Sequence, residues 1–128
     1  MSFKEVQSTM RKLGKFPVLG NRGSLKEALD LMTASKIGMI CIVNTNNELV
    51  GVLSDGDLRR ILLSKQSPLP ALLVSDALEF GTTEPITCQP KTSLEVAISL
   101  MKEKRIWDLP VLDENKKLLG LVHLHDIF

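Results

Sequence analysis

The stretch GVLSDGD at residues 51–57 returns as GLVHLHD at residues 120–126, 69 positions further along the chain. The same offset places Ser24 to Arg59 over Ser93 to Phe128 without a gap, and ten of these 36 pairs are identical. Most of the other pairs keep their apolar or polar character. The chain therefore consists of two homologous units rather than one irregular domain.

The repeat indicates where each unit begins and ends. We place the first unit at residues 1–66 and the second at residues 67–128, joined around Ser64 to Ala71. Units of this size bury too little apolar surface to be stable alone, so we expect them to pack on each other.

Upstream of the gap-free region we expect the offset to become 68, which aligns Val6 with Val74 and Pro17 with Pro85. One inserted residue near Gln89 would account for the change. Both prolines begin short apolar runs, which predict strands at residues 17–19 and 85–88, since a strand tolerates proline at its first position.

Two capping boxes predict where helices begin, Ser24-x-x-Glu27 in the first unit and Thr92-x-x-Glu95 in the second. Apolar residues then recur at i, i+3, i+4 and i+7, beginning at Leu25 and again at its repeat. Each unit should therefore contain one amphipathic helix after its first strand.

Two apolar runs follow each of these helices and flank a polar turn. This pattern predicts hairpins of residues 39–43 with 49–53, and of residues 109–112 with 118–122. A last helix should start near Asp57 and run through Leu63, and its counterpart should start near Asp126. The predicted fold class is α/β in the α+β sense, two units that each have a small sheet with flanking helices.

Composition excludes several classes of function. The 16 Lys and Arg balance 15 Asp and Glu, so no broad basic field exists for nucleic acid or an anionic membrane. The longest apolar runs of about five residues fall far short of a bilayer span of about 20, and the default location is the cytoplasm. Cys41 and Cys88 lack metal-ligand spacing, and reduced structural thiols are expected.

The order of elements and the stretches NELVGVLSDGDLRRILL (47–63) and IWDLPVLDENKKLLGLVHLHDIF (106–128) resemble a tandem pair of cystathionine-β-synthase (CBS) domains. The resemblance covers about residues 6–128. It implies two units packed as a pseudo-two-fold pair, a Bateman-type module. Such pairs are regulatory rather than catalytic and bind adenine nucleotides or related ligands in clefts between the units.

A narrower resemblance follows from SDGDLRR (54–60) together with HLHD (123–126), which is similar to the C-terminal CBS pair of bacterial arabinose-5-phosphate isomerases. It implies a parent sugar-phosphate isomerase in the synthesis of Kdo, a lipopolysaccharide precursor. The first stretch alone also resembles the CBS pairs of some sugar-phosphate nucleotidyltransferases.

Ser54-x-x-Asp57 is the strongest candidate site. The resemblance implies that the hydroxyl lies near a phosphate and that the carboxylate binds ribose hydroxyls. A carboxylate accepts charge-assisted bonds from both hydroxyls of a ribose, and a helix start offers free amides to phosphate. The alternative is that Ser54 only caps the helix with Asp57 at its third position, which needs no ligand.

The second unit keeps Asp126 but has His123 where the family has Ser or Thr. This departure puts phosphate contact there in doubt, and we expect this cleft to bind weakly or stay empty. His123 and His125 also suggest a metal pair, but two histidines two residues apart with one Asp are a weak signal, and no metal ligand is assigned.

The resemblance also implies contacts from Pro85, Ile86 and Thr87 to the ligand, with Trp107 nearby to stack on a base. Trp107 has the alternative role of covering an apolar dimer surface. Asp108 stands where many nucleotide-binding members have a basic residue, which weakens the case for a phosphate-rich ligand. Candidate phosphate partners include Arg60, although solvated helix charge is the commoner role.

Three functions follow for comparison: a ligand sensor, a dimerisation scaffold with degenerate clefts, and an enzyme. The enzyme has little support, because no nucleophile has a plausible base and no phosphate loop is present. We therefore expect no catalytic residues, no required cofactor, an adenine or cytidine nucleotide or a sugar nucleotide as effector, and a homodimer attached to an isomerase domain.

Overall fold

The computed structural model describes residues 4–127. The strands are β1 (Arg11–Lys12), β2 (Val18–Gly20), β3 (Met39–Val43), β4 (Leu49–Ser54), β5 (Asp108–Leu112) and β6 (Leu118–His123). The α-helices are α1 (Leu25–Ser35), α2 (Asp55–Ser64), α3 (Leu69–Leu73) and α4 (Leu94–Lys104), and 3₁₀ turns span Val6–Ser8, Ala77–Glu79 and Leu124–Asp126. This is the mixed α+β class that the sequence predicts.

The chain forms two compact units. One comprises Pro17–Pro85 and is called the first-repeat unit; the other combines Met1–Phe16 with Ile86–Phe128 and is called the second-repeat unit. The second-repeat unit is therefore discontinuous in sequence. The boundary of the sequence repeat at residue 66 stays a prediction about homology, while contacts group the N-terminal residues with the second repeat.

The first-repeat unit contains a sheet in the order β2-β3-β4, parallel between β2 and β3 and antiparallel between β3 and β4. α1 begins at the predicted capping box: the Glu27 amide donates to Ser24 Oγ at 3.1 Å, and the Ser24 amide donates to Glu27 Oε1 at 3.1 Å. The apolar face of α1 packs with the sheet in one core that includes Ala28, Ile40 and Leu53.

The second-repeat unit contains a sheet in the order β1-β6-β5, antiparallel throughout. Its core includes Val6 with Met101 of α4 and Val111 of β5. The two predicted hairpins are confirmed, β3 with β4 and β5 with β6.

The N-terminal segment completes the core of the second repeat. The Val6 amide donates to Thr92 O at 2.8 Å, and in the first-repeat unit the Ala77 amide donates to Gly23 O at 2.9 Å. Val6 is therefore the structural counterpart of Ala77, and both side chains are fully buried. The alignment of Val6 with Val74 is wrong, since Val74 is 78% exposed.

Strand pairing limits where the insertion expected near Gln89 can lie, which is before Cys88. Leu19 pairs in parallel with Ile42, and Cys88 bridges in parallel to Val111, so the offset of 69 persists upstream to Cys88. The strand predicted at residues 85–88 reduces to this single bridge.

The second capping box is displaced by one residue. The N-cap of α4 is Ser93, whose Oγ accepts from the Val96 amide at 3.1 Å, whereas Thr92 Oγ accepts from the Gln89 amide at 3.0 Å. Thr92 thus stabilises the preceding turn instead of the helix. Ser93 is the repeat of Ser24, so the offset of 69 identifies the cap correctly.

The last helix of the first repeat is confirmed as α2 and starts two residues earlier than expected, at Asp55. The helix expected near Asp126 is a 3₁₀ turn at Leu124–Asp126, and Phe128 lies outside the described residues. Within residues 4–127, no helix is both long and apolar enough to cross a membrane.

Both cysteines are buried, and neither forms a disulfide bond. Burial raises the pKa of the Cys88 thiol to about 12, because the thiolate would lose its hydration. Cys88 is therefore protonated and packs as a small apolar residue at neutral pH.

Candidate functional site

Ser54 and Asp57 lie together at the junction of β4 and α2. Ser54 ends the strand and caps the helix: its amide donates to Asp57 Oδ2 at 2.9 Å, and its Oγ accepts from the Asp57 amide at 3.3 Å. The Ser54 hydroxyl also lies 3.1 Å from Asp57 Oδ2. The capping interpretation of this motif is therefore confirmed.

The second oxygen of Asp57 accepts from Nη2 of Arg60, one turn later on α2. Asp57 is only 4% exposed, whereas the Arg60 side chain is 70% exposed. The carboxylate is held in a fixed orientation by its own helix, and the cation that covers it lies in solvent. A ligand reaches Asp57 Oδ1 only if Arg60 moves aside.

Gly38 lies beside this site, next to the exposed side chain of Asp55. A Cβ on Gly38 would lie 2.6 Å from Asp55 Oδ2, and the Asp55 amide donates to Gly38 O at 3.0 Å. The Asp55 carboxylate thus occupies the space that a side chain at position 38 would fill.

The second repeat keeps the backbone of this junction and changes its side chains. The Leu124 amide donates to Trp107 O at 2.9 Å, which repeats the bond from Asp55 to Gly38. In the second repeat Leu124 replaces Asp55 and Trp107 replaces Gly38. Trp107 is 59% exposed and stacks on His125, with ring centroids 5.2 Å apart and planes 6° apart.

The Asp108 carboxylate fixes the His123 ring. Asp108 Oδ1 lies 2.6 Å from His123 Nδ1, and the two side chains are 5% and 11% exposed. Burial raises the pKa of the Asp108 carboxyl, while the hydrogen bond to His123 opposes this effect.

Asp126 is held by Arg11 of β1. Arg11 Nε lies 2.7 Å from Asp126 Oδ2, and Nη2 lies 2.9 Å from Oδ1, which is a bidentate ion pair. The hydrogen bond from Arg11 lowers the pKa of the Asp126 carboxyl. The two side chains are 33% and 31% exposed.

The family model for the CBS domain matches residues 23–64 and 74–128, one match for each repeat. The chain belongs to the CBS domain family. The strand, turn, Gly-containing strand and Asp-led helix on which the sequence resemblance depends all lie within these matches.

Solved CBS structures share this fold. CBSX2 from Arabidopsis thaliana is 26% identical, with a TM-score of 0.82 over 98% of this chain and 92% of its own. A structure of CBSX2 in complex with AMP is 27% identical, with a TM-score of 0.83 over 96% and 92%. A putative acetoin utilization protein of Vibrio cholerae, 24% identical, superposes with a TM-score of 0.84 over 98% and 88%.

Curated relatives are longer proteins. An uncharacterized protein of Helicobacter pylori is 38% identical over 112 residues, which is 87% of this chain and 32% of that protein. The arabinose 5-phosphate isomerase GutQ of Escherichia coli is 27% identical over 124 residues, 97% of this chain and 37% of GutQ. The chain spans about a third of the length of the curated relatives it matches.

The other residues that the CBS resemblance implies are divided between the units. Pro85 belongs to the first-repeat unit and is half-buried; Ile86 and Thr87 belong to the second-repeat unit, where Ile86 is 37% exposed. Their contacts with a ligand stay a prediction, as does stacking by Trp107. Among the described residues, no group of three or more His, Cys, Asp or Glu is arranged to hold a metal ion.

Sequence reasoning missed Arg11 as a partner of the second motif and missed the pairing of Asp108 with His123. The pairing had a signal in the sequence, because extending the predicted hairpin by one residue at each end places positions 108 and 123 opposite each other. Arg11 had no such signal, since β1 is two residues long and its partner strand lies more than 100 residues away.

Proposed function

We propose that this CBS pair is a regulatory module that binds an adenine nucleotide or a sugar nucleotide at the Ser54–Asp57 junction. The observation that supports this most is the difference in exposure at that site. Asp57 is buried and oriented by Ser54, while the cation that covers it, Arg60, is largely in solvent. The Asp57 carboxylate is preorganised, and the exposed Arg60 side chain can rotate away from it.

The ligand separates the Asp57–Arg60 ion pair and binds to both of its members. The hydroxyls of the ribose donate hydrogen bonds to the Asp57 carboxylate and replace Arg60 as its partner. The released guanidinium then binds the phosphate of the same ligand, together with the Ser54 hydroxyl. Because Arg60 lies one turn after Asp57 on α2, one side chain rotation suffices for the exchange.

Relatives support this ligand class. The related CBSX2 structure contains AMP, and the CBS pair of protein MJ0100 has the same fold and was solved with 5′-methylthioadenosine and S-adenosyl-L-methionine. All three ligands contain an adenosine-type ribose. The ribose hydroxyls are the groups for which the Asp57 carboxylate is suited.

The enzyme that the module regulates is, by this proposal, an arabinose 5-phosphate isomerase in lipopolysaccharide precursor synthesis. The support is the match to GutQ, which extends over 97% of this chain. The nucleotide biases the attached enzyme through its differential affinity for two conformations of the module.

A ligand titration with two variants tests the proposed site. Calorimetry is carried out with AMP, CMP and adenosine on the wild-type chain, on Arg60→Gln and on Arg59→Gln, which removes an adjacent exposed cation of the same helix. We expect Arg60→Gln to weaken AMP, which loses a phosphate partner, and to strengthen adenosine, which no longer displaces a cation from Asp57, while Arg59→Gln changes neither. Absence of binding of all three ligands at millimolar concentration would refute the proposed function.

A second candidate function is a dimerisation scaffold. The observation that favours it is the exposed apolar surface at the end of α2 and after it, where Leu62, Leu63, Leu69 and Val74 are 54–82% exposed. Surface of this kind typically marks an interaction site. Sedimentation of the wild-type chain against Leu63→Glu, with Leu13→Glu as an exposed control, distinguishes a homodimer through this surface from a monomer.

A further inference from the structure

Asp126 is the second repeat's copy of Asp57, and a single residue, Arg11, contacts both of its carboxylate oxygens. Arg11 donates to both Asp126 oxygens, and its remaining nitrogen, Nη1, donates to Lys15 O at 3.3 Å. All three guanidinium nitrogens therefore have partners within the second-repeat unit. Arg60, by contrast, holds Asp57 through Nη2 and is 70% exposed.

The first repeat has no equivalent of Arg11. Arg11 pairs with Leu121 of β6, and the corresponding bridge of the first-repeat unit joins Thr82 to Val52. Thr82 has no charge with which to reach the carboxylate of Asp57. The two repeats therefore share the backbone position and differ in whether that position carries a cation.

The segment that carries Arg11 is held close to the sheet. A Cβ on Gly120 would lie 2.6 Å from Arg11 O and 2.6 Å from Met10 Sδ. Only glycine at position 120 permits this approach, and pairing of β1 with β6 holds the backbone of Arg11 and Lys12 in place. A bidentate pair between fixed partners loses little side-chain entropy and outcompetes a flexible neutral donor.

We propose that Arg11 is an internal competitor that occupies Asp126 and closes the second repeat's motif to ribose-containing ligands, so that the chain binds one nucleotide instead of two. The inference rests on the proposed function for the role of Asp57. It explains the expected difference in ligand binding between the two repeats by Arg11, and not only by the replacement of a hydroxyl with His123.

A ribose hydroxyl meets Arg11 on either oxygen of Asp126, whereas the cation at Asp57 contacts Oδ1 alone. A neutral hydroxyl forms a weaker bond to a carboxylate than a guanidinium does, so displacing Arg11 lowers the affinity of Asp126 for a ribose. Removing the guanidinium while keeping the β1 backbone leaves both oxygens of Asp126 available.

Calorimetric titration with AMP measures the number of sites. We expect one site in the wild-type chain and two in Arg11→Gln, the second of which disappears in the double variant Arg11→Gln/Asp126→Asn. Lys12→Gln, which changes the other residue of β1, should keep one site. If Arg11→Gln does not fold, Arg11→Lys serves instead, because an ammonium group binds the carboxylate as a point charge without the bidentate fork.

The outcomes separate this inference from the proposed function. One site in both the wild-type chain and Arg11→Gln overturns the inference and leaves the proposed function standing, as do two sites in the wild-type chain. No site in the wild-type chain with one Asp126-dependent site in Arg11→Gln supports the inference and overturns binding at Asp57. No site in either protein overturns both.

Discussion

Asp108 and His123 face each other across the last residue pair of the β5–β6 hairpin, with Oδ1 and Nδ1 2.6 Å apart. The first repeat has Met39 opposite Ser54 at this place. At the end of the hairpin away from the turn, the first repeat has an apolar residue and a capping hydroxyl. The second repeat has a buried polar pair there. The pair explains why His123 does not act as an adaptable hydroxyl would, since its ring is fixed by Asp108.

We expect strong coupling between Asp108 and His123. His123→Ser alone should lower the free energy of unfolding by about 1–3 kcal/mol, because it leaves the buried Asp108 carboxyl without its partner. The double variant Asp108→Met/His123→Ser, which reproduces the pair of the first repeat, should recover part of this loss. Urea unfolding of the wild type, both single variants and the double variant measures the coupling, and additive single effects would contradict it.

The Arg11–Asp126 pair should make stability depend on pH in the acid range. The pKa of Asp126 is lowered in the folded state, so the pair contributes stability above the ordinary carboxyl pKa of about 3.9 and loses it as the pH falls through the folded value. Because both side chains are about one third exposed, the contribution should be about 0.2–1 kcal/mol.

The measurement for this prediction is the free energy of unfolding from pH 2 to pH 6 in the wild type and in Arg11→Gln. The difference between the two proteins should be present at pH 6 and shrink below pH 4. The contribution of Asp108 to stability changes with pH in the opposite direction. Burial raises the pKa of Asp108, so its protonation favours the folded state. A constant difference between the two proteins across the range would contradict the role of Asp126.

Replacing the motif carboxylate should affect the two repeats unequally. Asp57→Ala should weaken a ribose-containing ligand by roughly 10- to 100-fold, because bonds to a charged acceptor contribute about 1.5–3 kcal/mol. Asp126→Ala should have much less effect, since Arg11 already occupies that carboxylate. Calorimetric titration of both variants checks this; equal losses would assign the working site to the wrong repeat.

Asp57→Ala also removes the capping box of α2, so a matched control for stability is needed. Glu27→Ala breaks the equivalent box of α1, at Ser24. Both variants should lose about 1 kcal/mol of stability, but only Asp57→Ala should lose ligand affinity. A loss of affinity in Glu27→Ala would mean that the effect comes from general destabilisation.

Cys88 should resist alkylation in the folded protein. Its thiol is buried, and its pKa of about 12 leaves almost no thiolate at pH 8. Iodoacetamide should modify Cys88 only after denaturation, as mass spectrometry of native and urea-treated samples would show. Modification of the native protein at the rate of a free thiol would contradict this prediction.

Local patterns in the sequence predicted a large part of the fold. The hairpins, the amphipathic helices and the capping box at Ser24 each depend on residues within about 15 positions of one another, and all are confirmed. The same is true of the cap at Ser54. The error at Thr92 arose because two adjacent hydroxyl residues both suit a cap, and only the turn that Thr92 stabilises distinguishes them.

From the sequence by itself, a constant offset of 69 determined the repeat, local spacing determined the Ser54–Asp57 junction, and the resemblance of two stretches to CBS domains indicated the family. Tertiary structure alone decided that residues 4–12 complete the second repeat and that Arg11 holds Asp126. Pairing between a two-residue strand and a strand 110 positions away leaves no periodic pattern, since two residues are too few to show one. The partner of a surface carboxylate likewise depends on which cation the fold places beside it, and residue spacing does not predict this.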